Sequence, residues 1–223
     1  MSAIHGLGTH FLEAFDVYPY LRFFGPPDSG KTNTNYTLGG ISFHPVATPD
    51  ISDPSFYRLR EATHFTMSLD ERNLKRKQES QLPDLLNNAY KRGGSVIRSD
   101  KDQFGNIVPR VFDVYGGMIY SGVHDLPYMT ETRSLGIPML RSLDSRFSAE
   151  DEPLWWKPEP TEIREKNYLF RLTNGRRARE IYERLRPKDY GIMNRQWELA
   201  RPLIATALLY GLDVVHELKE TPL

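Results

Sequence analysis

One eight-residue segment constrains the fold of this chain more than any other. Residues 25–32 read Gly-Pro-Pro-Asp-Ser-Gly-Lys-Thr and fit the pattern G-x-x-x-x-G-K-[ST] without a mismatch. The segment directly follows an apolar run, Tyr-Leu-Arg-Phe-Phe at residues 20–24. In proteins this pattern joins a buried strand to the start of a helix. It therefore predicts an α/β fold in which a strand, this loop and a helix form one unit.

The residue types of this loop suit a nucleoside triphosphate. Glycines let backbone N–H groups curl around phosphates, a lysine neutralises terminal phosphate oxygens, and a threonine hydroxyl holds magnesium. The positive end of the following helix adds to the attraction. We expect a nucleoside triphosphate with Mg²⁺ as the ligand, with a surface Gly/Pro turn as the alternative interpretation. The predicted nucleotide-binding residues are Gly25, Pro26, Pro27, Asp28, Ser29, Gly30, Lys31 and Thr32.

A second, acidic motif follows at a spacing that suits the loop. Residues 64–71, His-Phe-Thr-Met-Ser-Leu-Asp-Glu, form a mostly apolar run that ends in two carboxylates, and Asp70 lies 39 residues after Lys31. That interval holds a helix, a strand and another helix, which is the layout of a parallel sheet. We expect Asp70 and Thr32 to bind magnesium, and Glu71 to orient and deprotonate the attacking water. The alternative is a surface acidic pair at a strand end.

The remaining pattern predicts an α/β core with a mainly parallel sheet, followed by a linker near residues 148–160 and a helical region. The resemblance described below implies a three-layer P-loop core at residues 1–147, and a linker with a helical lid at residues 148–223. Weak helix formers after Thr32 and the pair Gly39-Gly40 predict that the helix after the loop ends early. The other expected strands are at 43–48, 112–121 and 135–140, with a β-hairpin at about 95–111. Helices are expected before residue 16 and at 53–60, 75–92 (broken near Pro83), 163–172, 176–185 and 195–209.

Composition excludes several functional classes. The formal net charge is zero, so no overall electrostatic attraction to nucleic acid or acidic membranes is expected. Without cysteine the chain has no disulfide, zinc knuckle or thiol nucleophile, and its six histidines lack metal-ligand spacing. The first residues lack the features of a signal peptide, and no run approaches the roughly 18 apolar residues of a membrane span. These features favour a soluble, cytoplasmic protein.

Two arginines are candidates for stabilising charge in the transition state. Arg133 lies just before a predicted strand, from which it would reach the nucleotide of a neighbouring subunit; a surface salt bridge is the alternative. Arg195 opens the last long helix and would fold back over the γ-phosphate, with Arg201 as its nearest rival. Ser121 or His124, at and after the end of another predicted strand, would sense the γ-phosphate, and a structural role is the alternative.

A basic patch lies between the acidic pair and the predicted hairpin. Such a patch can track a phosphate backbone, and Phe104 at the hairpin tip would stack on a base. These features predict DNA as a partner, and an ordinary solvated charged face is the alternative. The members of the patch are Lys75, Arg76, Lys77, Lys91, Arg92, Arg98 and Lys101.

Together these segments resemble the AAA+ class of P-loop ATPases over most of the chain. More narrowly, residues 9–21, Thr-His-Phe-Leu-Glu-Ala-Phe-Asp-Val-Tyr-Pro-Tyr-Leu, followed by Ser-Gly-Lys-Thr at 29–32, resemble an uncharacterised ATPase family. Its members are often attached to primase or helicase proteins of phages, plasmids and mobile elements. Residues 113–117, 126–127 and 133–134 resemble the family's middle segment, and 194–203 resemble an arginine-led helix found there and in minichromosome-maintenance-type helicases. The hairpin resembles the pre-sensor hairpin that ring helicases point into a DNA channel.

The resemblance implies an ATP- and Mg²⁺-dependent motor on DNA, a helicase or helicase-like replication ATPase of a mobile element. It also implies a homo-oligomer such as a ring, and a primase as a partner. A slowly hydrolysing nucleotide-dependent switch or scaffold is the main alternative, and a P-loop kinase fits less well. Two departures favour slow turnover: Asp28 replaces the usual loop glycine, and no sensor asparagine is evident near Ser121.

Overall fold

The computed structural model describes residues 1–70, 81–142 and 157–212. Its first elements are α1 (Ser2–Gly8), a 3-10 helix (Thr9–Ala14), β1 (Tyr20–Phe24), α2 (Lys31–Ile41), β2 (Pro45–Thr48), α3 (Asp53–Thr63) and β3 (Thr66–Asp70). They continue with α4 (Leu82–Ala89), β4 (Ser95–Lys101), β5 (Ile107–Asp113), β6 (Met118–Gly122), α5 (Tyr128–Glu131), β7 (Ser134–Pro138), α6 (Glu159–Arg184), α7 (Pro187–Tyr190) and α8 (Asn194–Leu209). The predicted unit of strand, loop and helix is therefore formed by β1 and α2.

Five strands form one parallel sheet in the order β2-β3-β6-β1-β7. β1 lies between β6 and β7, and it is buried and nearly all apolar, as expected for a parallel strand covered on both faces. Because the strands share one direction, the loop after β1, Asp70 on β3 and Ser121 on β6 lie at one edge, called here the carboxyl edge. The opposite edge, where the strands begin, is called the amino edge. The predicted α/β class is confirmed.

Helices pack around the sheet and share its hydrophobic core. α2 packs against β3 and β6, and α6 packs against α2, the 3-10 helix and α8. Buried side chains of the C-terminal helices, such as Tyr182 and Leu203, belong to the same hydrophobic cluster as Phe11 and Leu21. The boundary predicted at residue 147 lies outside the described residues, so the division into core and lid stays a prediction. Within the described ranges, no helix has the length and apolar character needed to cross a bilayer.

The C-terminal region contains a longer helix than the sequence pattern predicts. Residues 163–172 and 176–185 were expected to form two helices, and this prediction is wrong, because Glu159–Arg184 is one helix of 26 residues. On either side of the expected break, Arg171 and Arg179 form salt bridges to the segment before β1. Packing along the 3-10 helix therefore outweighs the low helix propensity of the residues between.

α2 also runs farther than its composition predicts. It continues through Gly39-Gly40 to Ile41, so the expected early end is wrong. A Cβ on Gly39 would lie 2.2 Å from the Oγ of Ser68 on β3. The glycine lets the helix approach the sheet closely, and this packing compensates for weak helix formers, since most helical stability in proteins comes from tertiary contacts.

β4 and β5 form the predicted hairpin, an antiparallel ribbon separate from the main sheet. The prediction of a strand at 112–121 is wrong, because the chain leaves the hairpin after Asp113 and enters the main sheet only at Met118. Between these points Gly116 passes beside the buried Arg60, where a Cβ would lie 1.7 Å from the Nη1 atom. This crossing brings β6 alongside β1 and β3.

Candidate nucleotide-binding site

The loop between β1 and α2 has a backbone that requires its glycines. Gly25 has a φ of +147°, and a Cβ there would lie 2.1 Å from the backbone oxygen of Met139. The Met139 N–H donates to the Phe24 carbonyl at 2.8 Å, which holds the start of the loop against the chain that follows β7. Gly30, at the other end, has a φ of +80°. Both glycines occupy backbone conformations that side chains disfavour.

Asp28 has a left-handed backbone conformation, which favours glycine. Its φ is +57°. Aspartate tolerates this region better than most residues with a side chain. Its carboxylate accepts a hydrogen bond from the guanidinium of Arg141 at 2.7 Å, and both side chains are exposed. The aspartate therefore adds an exposed negative charge to the loop.

Lys31 gives the loop a buried positive charge. The side chain is 5% exposed, and its Nζ donates to the Pro26 carbonyl at 2.5 Å and to the Ser29 Oγ at 3.2 Å. Among the described residues, no carboxylate forms a salt bridge with Lys31. α2 starts at Lys31 without a side-chain cap. An ammonium group and an uncapped helix N-terminus at one loop are suited to a bound anion such as a phosphate.

Thr32 and Asp70 meet at the carboxyl edge, as the sequence predicts. The Thr32 Oγ1 donates to Asp70 at 3.0 Å from Oδ2 and 3.3 Å from Oδ1. The described residues contain no group of three or more His, Asp or Glu side chains arranged to hold a metal. Mg²⁺ commonly takes only one or two protein carboxylates together with substrate phosphates. A threonine hydroxyl beside a carboxylate at a phosphate loop fits that mode of binding.

Ser121 and Asn35 complete the surroundings of Asp70. Ser121 is opposite Asp70 in the β3–β6 register, and its Oγ donates to the Asp70 Oδ1. Asn35 on α2 donates from Nδ2 to the Ser121 Oγ at 2.7 Å and to the Leu69 carbonyl at 3.0 Å. Burial, and then the nearby Asp70 carboxylate, raise the pKa of Tyr36. The sequence pattern missed Asn35, whose one local signal is its place one helical turn after Thr32.

Two other candidates at this edge stand apart from that network. His124 is exposed in the loop after β6, so Ser121 is the candidate sensor that contacts Asp70. Glu71 follows Asp70 directly in the sequence but lies outside the described residues. Its role in activating water therefore stays a prediction.

Arg133 and Arg195 lie together at the amino edge. The Arg133 carbonyl accepts from the Tyr20 N–H at 2.9 Å, at the first residue of β1. Both guanidinium groups lie over the Tyr90 ring, each 5.0 Å from its centroid, and the Arg195 Nη1 donates to the Tyr90 hydroxyl at 3.1 Å. The length of β1, about 15 Å, separates this edge from the phosphate loop. The structure brings these arginines to each other and not to the loop of their own chain.

Arg201, the rival of Arg195, has a structural environment. Its Nε and Nη2 atoms donate to the Tyr182 carbonyl at 3.0 and 2.7 Å. Its guanidinium also stacks over the Tyr182 ring, 3.9 Å from the centroid. These contacts join α8 to α6.

Three members of the predicted basic patch, Lys91, Arg92 and Lys101, are exposed. Arg98 donates to the Gln81 side chain at 2.7 Å, and Arg110 forms a 3.1 Å salt bridge with Glu61 on α3, so both arginines turn toward the body of the protein. The ribbon and its tip also expose large apolar side chains beside polar ones such as Lys101 and Gln103. The apolar ones are Ile97, Phe104, Ile107, Val108 and Val111. Lys75, Arg76 and Lys77 of the predicted basic patch lie outside the described residues.

Comparison with known proteins finds similarity in structure only. Neither a protein-family model nor a curated protein matches the chain. Similar solved structures include "SCCmec type IV Cch - active helicase", with a TM-score of 0.51 and 10% identity over 98% of this chain and 45% of that chain. They also include a JCV helicase bound to a small molecule, with a TM-score of 0.36 and 15% identity over 94% of this chain and 61% of that chain. The chain thus spans less than half of the Cch structure, and the first similarity shows that it has a helicase-like α/β fold.

Proposed function

We propose that this chain is an AAA+ type ATPase core that binds ATP with Mg²⁺ and hydrolyses it. The observation that carries the proposal is the buried Lys31 ammonium, which has no carboxylate partner among the described residues and lies at an uncapped helix N-terminus. The next residue, Thr32, contacts Asp70. The cation, the helix terminus and the hydroxyl–carboxylate pair together match the needs of a magnesium triphosphate.

Each residue of the site has a distinct proposed task. Lys31 and the backbone N–H groups of the loop bind the phosphate oxygens and keep them in one orientation. Thr32 and Asp70 would hold Mg²⁺, which supplies positive charge against the developing charge on the phosphates. Glu71 orients the attacking water and accepts its proton. Ser121 holds the Asp70 carboxylate by donating a hydrogen bond to it.

The placement of the two arginines supports an oligomeric enzyme. Arg133 and Arg195 lie at the amino edge, about one strand length from the phosphate loop of their own chain. An arginine from a neighbouring subunit would then complete each site and stabilise the transition state, which commonly contributes a factor of about 10³ to 10⁵. A homo-oligomer such as a ring provides this contact to every subunit.

We further propose that the ATPase works on DNA as a helicase or helicase-like replication motor of a mobile element, with a primase as a partner. The sequence resemblance supports this assignment, and so does the fold shared with a structure described as an active helicase. Phe104, 79% exposed at the hairpin tip, offers a ring on which a base can stack.

A slowly hydrolysing switch is the second candidate. The exposed Asp28 carboxylate places negative charge on the loop that would receive phosphates, and Arg141 offsets it only at the surface. Electrostatic repulsion there favours weaker binding and slower turnover than a loop with glycine at this position. A switch would also bind partners without moving DNA.

Subunit mixing tests the oligomeric enzyme directly. Arg133→Ala and Glu71→Gln are each expected to abolish most ATP turnover when assayed alone. When the two are mixed, sites that combine an intact Glu71 with a neighbour's intact Arg133 are expected to recover activity. Single-stranded and duplex DNA are added in parallel, since a motor responds to DNA and a switch does not. Turnover that is independent of protein concentration and is not recovered on mixing would contradict the shared site.

A further inference from the structure

Asn35 occupies a central position between three elements of the site. It is fully buried on α2, and its Nδ2 donates both to the backbone carbonyl of Leu69 on β3 and to the Oγ of Ser121 on β6. Thr32 lies three residues earlier on the same helix and contacts Asp70 itself. One face of α2 therefore contacts the carboxyl edge of the sheet at two residues, Thr32 and Asn35.

The chemistry of these contacts fixes the direction of the hydrogen bonds. A backbone carbonyl only accepts, so the Asn35 atom that faces Leu69 is the amide nitrogen. The same nitrogen donates to Ser121, so the Ser121 hydroxyl directs its own proton to the Asp70 carboxylate. Asn35 thereby sets the orientation of the hydroxyl that holds Asp70.

We propose that Asn35 is a positioning residue for nucleotide hydrolysis, which aligns Asp70 with Thr32 through Ser121 and Leu69. This inference rests on the proposed ATPase function. Arg133, Arg195 and the loop glycines have no part in this network.

A purely structural role explains the residue less well. The Asn35 Oδ1 is buried and has no hydrogen-bond partner in the described part of the chain. A buried polar atom without a partner costs stability that an apolar side chain would avoid. The amide is therefore retained where its nitrogen serves the site.

The test compares ATP turnover of Asn35→Ala with that of Asn33→Ala, an exposed asparagine on the same helix. Asn35→Ala is expected to lower kcat by roughly 10- to 100-fold, as found for residues that orient metal ligands, while KM for ATP changes little. Asn33→Ala is expected to leave both values unchanged. Asn35→Ser, which keeps a hydroxyl donor and most of the fold's packing, is expected to retain more turnover than Asn35→Ala.

Ser121→Ala provides the second readout, because a structural role would not couple the two residues in turnover. If Asn35 acts through Ser121, the double variant is expected to have nearly the kcat of the slower single variant. The inference would be overturned if the two single effects on kcat multiply in the double variant, or if kcat is unchanged in folded Asn35→Ala and Asn35→Ser. The ATPase itself is upheld in either case if the unaltered chain hydrolyses ATP and Lys31→Ala does not. Absence of any Lys31-dependent turnover would overturn both.

Discussion

The hydroxyl of Thr32 donates to the carboxylate of Asp70 at 3.0 Å, although 38 residues separate them in the sequence. Thr32 belongs to α2, the helix after the phosphate loop. Asp70 ends β3, which is separated from β1 in the sheet by β6. This contact places the two predicted magnesium ligands together beside the loop.

Replacing Lys31 is expected to weaken nucleotide binding without loss of stability. Lys31→Met removes the ammonium from a buried site where no carboxylate of the described residues pairs with it. We expect ATP affinity to fall by about 10- to 100-fold, the equivalent of a charged hydrogen bond. The melting temperature should stay equal or rise, since an unpaired buried charge is costly.

Calorimetric titration with ATP and thermal unfolding measure the two effects of Lys31→Met. Lys188→Met, which changes an exposed lysine on α7, is the matched control and should alter neither. Equal ATP affinity in Lys31→Met and the control would remove Lys31 from the site.

Replacing Asp28 is expected to strengthen nucleotide binding. Asp28→Gly relieves the left-handed backbone at φ +57° and removes a carboxylate from the loop. The repulsion between two like charges about 4 Å apart in water is about 1 kcal/mol. Removing such repulsion between the Asp28 carboxylate and the phosphates should lower KM for ATP by about fivefold. Asp28→Asn separates the causes, because it removes the charge while it keeps a side chain that tolerates this backbone. KM values that rise or stay constant in both variants would show that the charge is not sensed by the nucleotide.

Stability is expected to decline as the pH falls from about 6.5 toward 4. Burial lowers the pKa of His5 to about 4, and it lowers the pKa of His10 to about 4 as well. Above pH 6.5 neither state of the protein is protonated at these rings, so they impose no penalty. Below pH 6.5 these rings are protonated in the unfolded chain but stay neutral in the folded chain. Each histidine therefore lowers the free energy of unfolding by about 2 kcal/mol at pH 5.

Urea unfolding at pH 7.5 and pH 5 measures this dependence. His5→Gln is expected to reduce the difference between the two pH values, while His124→Gln, at an exposed position, should leave it as it is. A difference that is the same in all three chains would assign the pH dependence to other groups.

The hairpin tip is expected to contribute to DNA binding by stacking. Phe104→Ala removes a ring that is 79% exposed, and base stacking on an aromatic side chain is worth about 1–3 kcal/mol. Affinity for single-stranded DNA should fall accordingly, while ATP turnover without DNA should not change. Leu172→Ala, equally exposed on α6, serves as the control in a fluorescence-anisotropy titration. Unchanged DNA affinity in Phe104→Ala would exclude the tip as a stacking site.

The sequence predicts the parts of the site that depend on contiguous residues. The loop from Gly25 to Thr32 carries its own backbone requirements, and Asp70 ends an apolar run at a spacing that a parallel sheet brings back to the loop. The sequence does not reveal the contact of Asn35, because its partner Ser121 lies 86 residues away and because its helix is composed of weak helix formers. Its role depends on the crossing of three elements, which no local pattern records.

Tertiary packing explains the remaining differences. α2 packs closely on the sheet, and α6 packs along the 3-10 helix. These contacts extend both helices beyond the lengths that helix propensity alone predicts. On the hairpin, the sequence does not show which basic side chains face the body of the protein and which face solvent. Arg98 and Arg110 contact partners on the body of the protein, while apolar side chains such as Ile107 are exposed on the same ribbon.

Steady-state ATP hydrolysis with and without Mg²⁺ tests the proposed enzyme most directly, in the unaltered chain and in Lys31→Ala and Asp70→Asn. We predict Mg²⁺-dependent turnover in the unaltered chain and a loss of about 100-fold or more in each variant, comparable to removing one charge-stabilising group from an active site. Turnover that persists unchanged in both variants, or its absence from the unaltered chain with and without DNA, would contradict an ATPase site formed by the phosphate loop and Asp70.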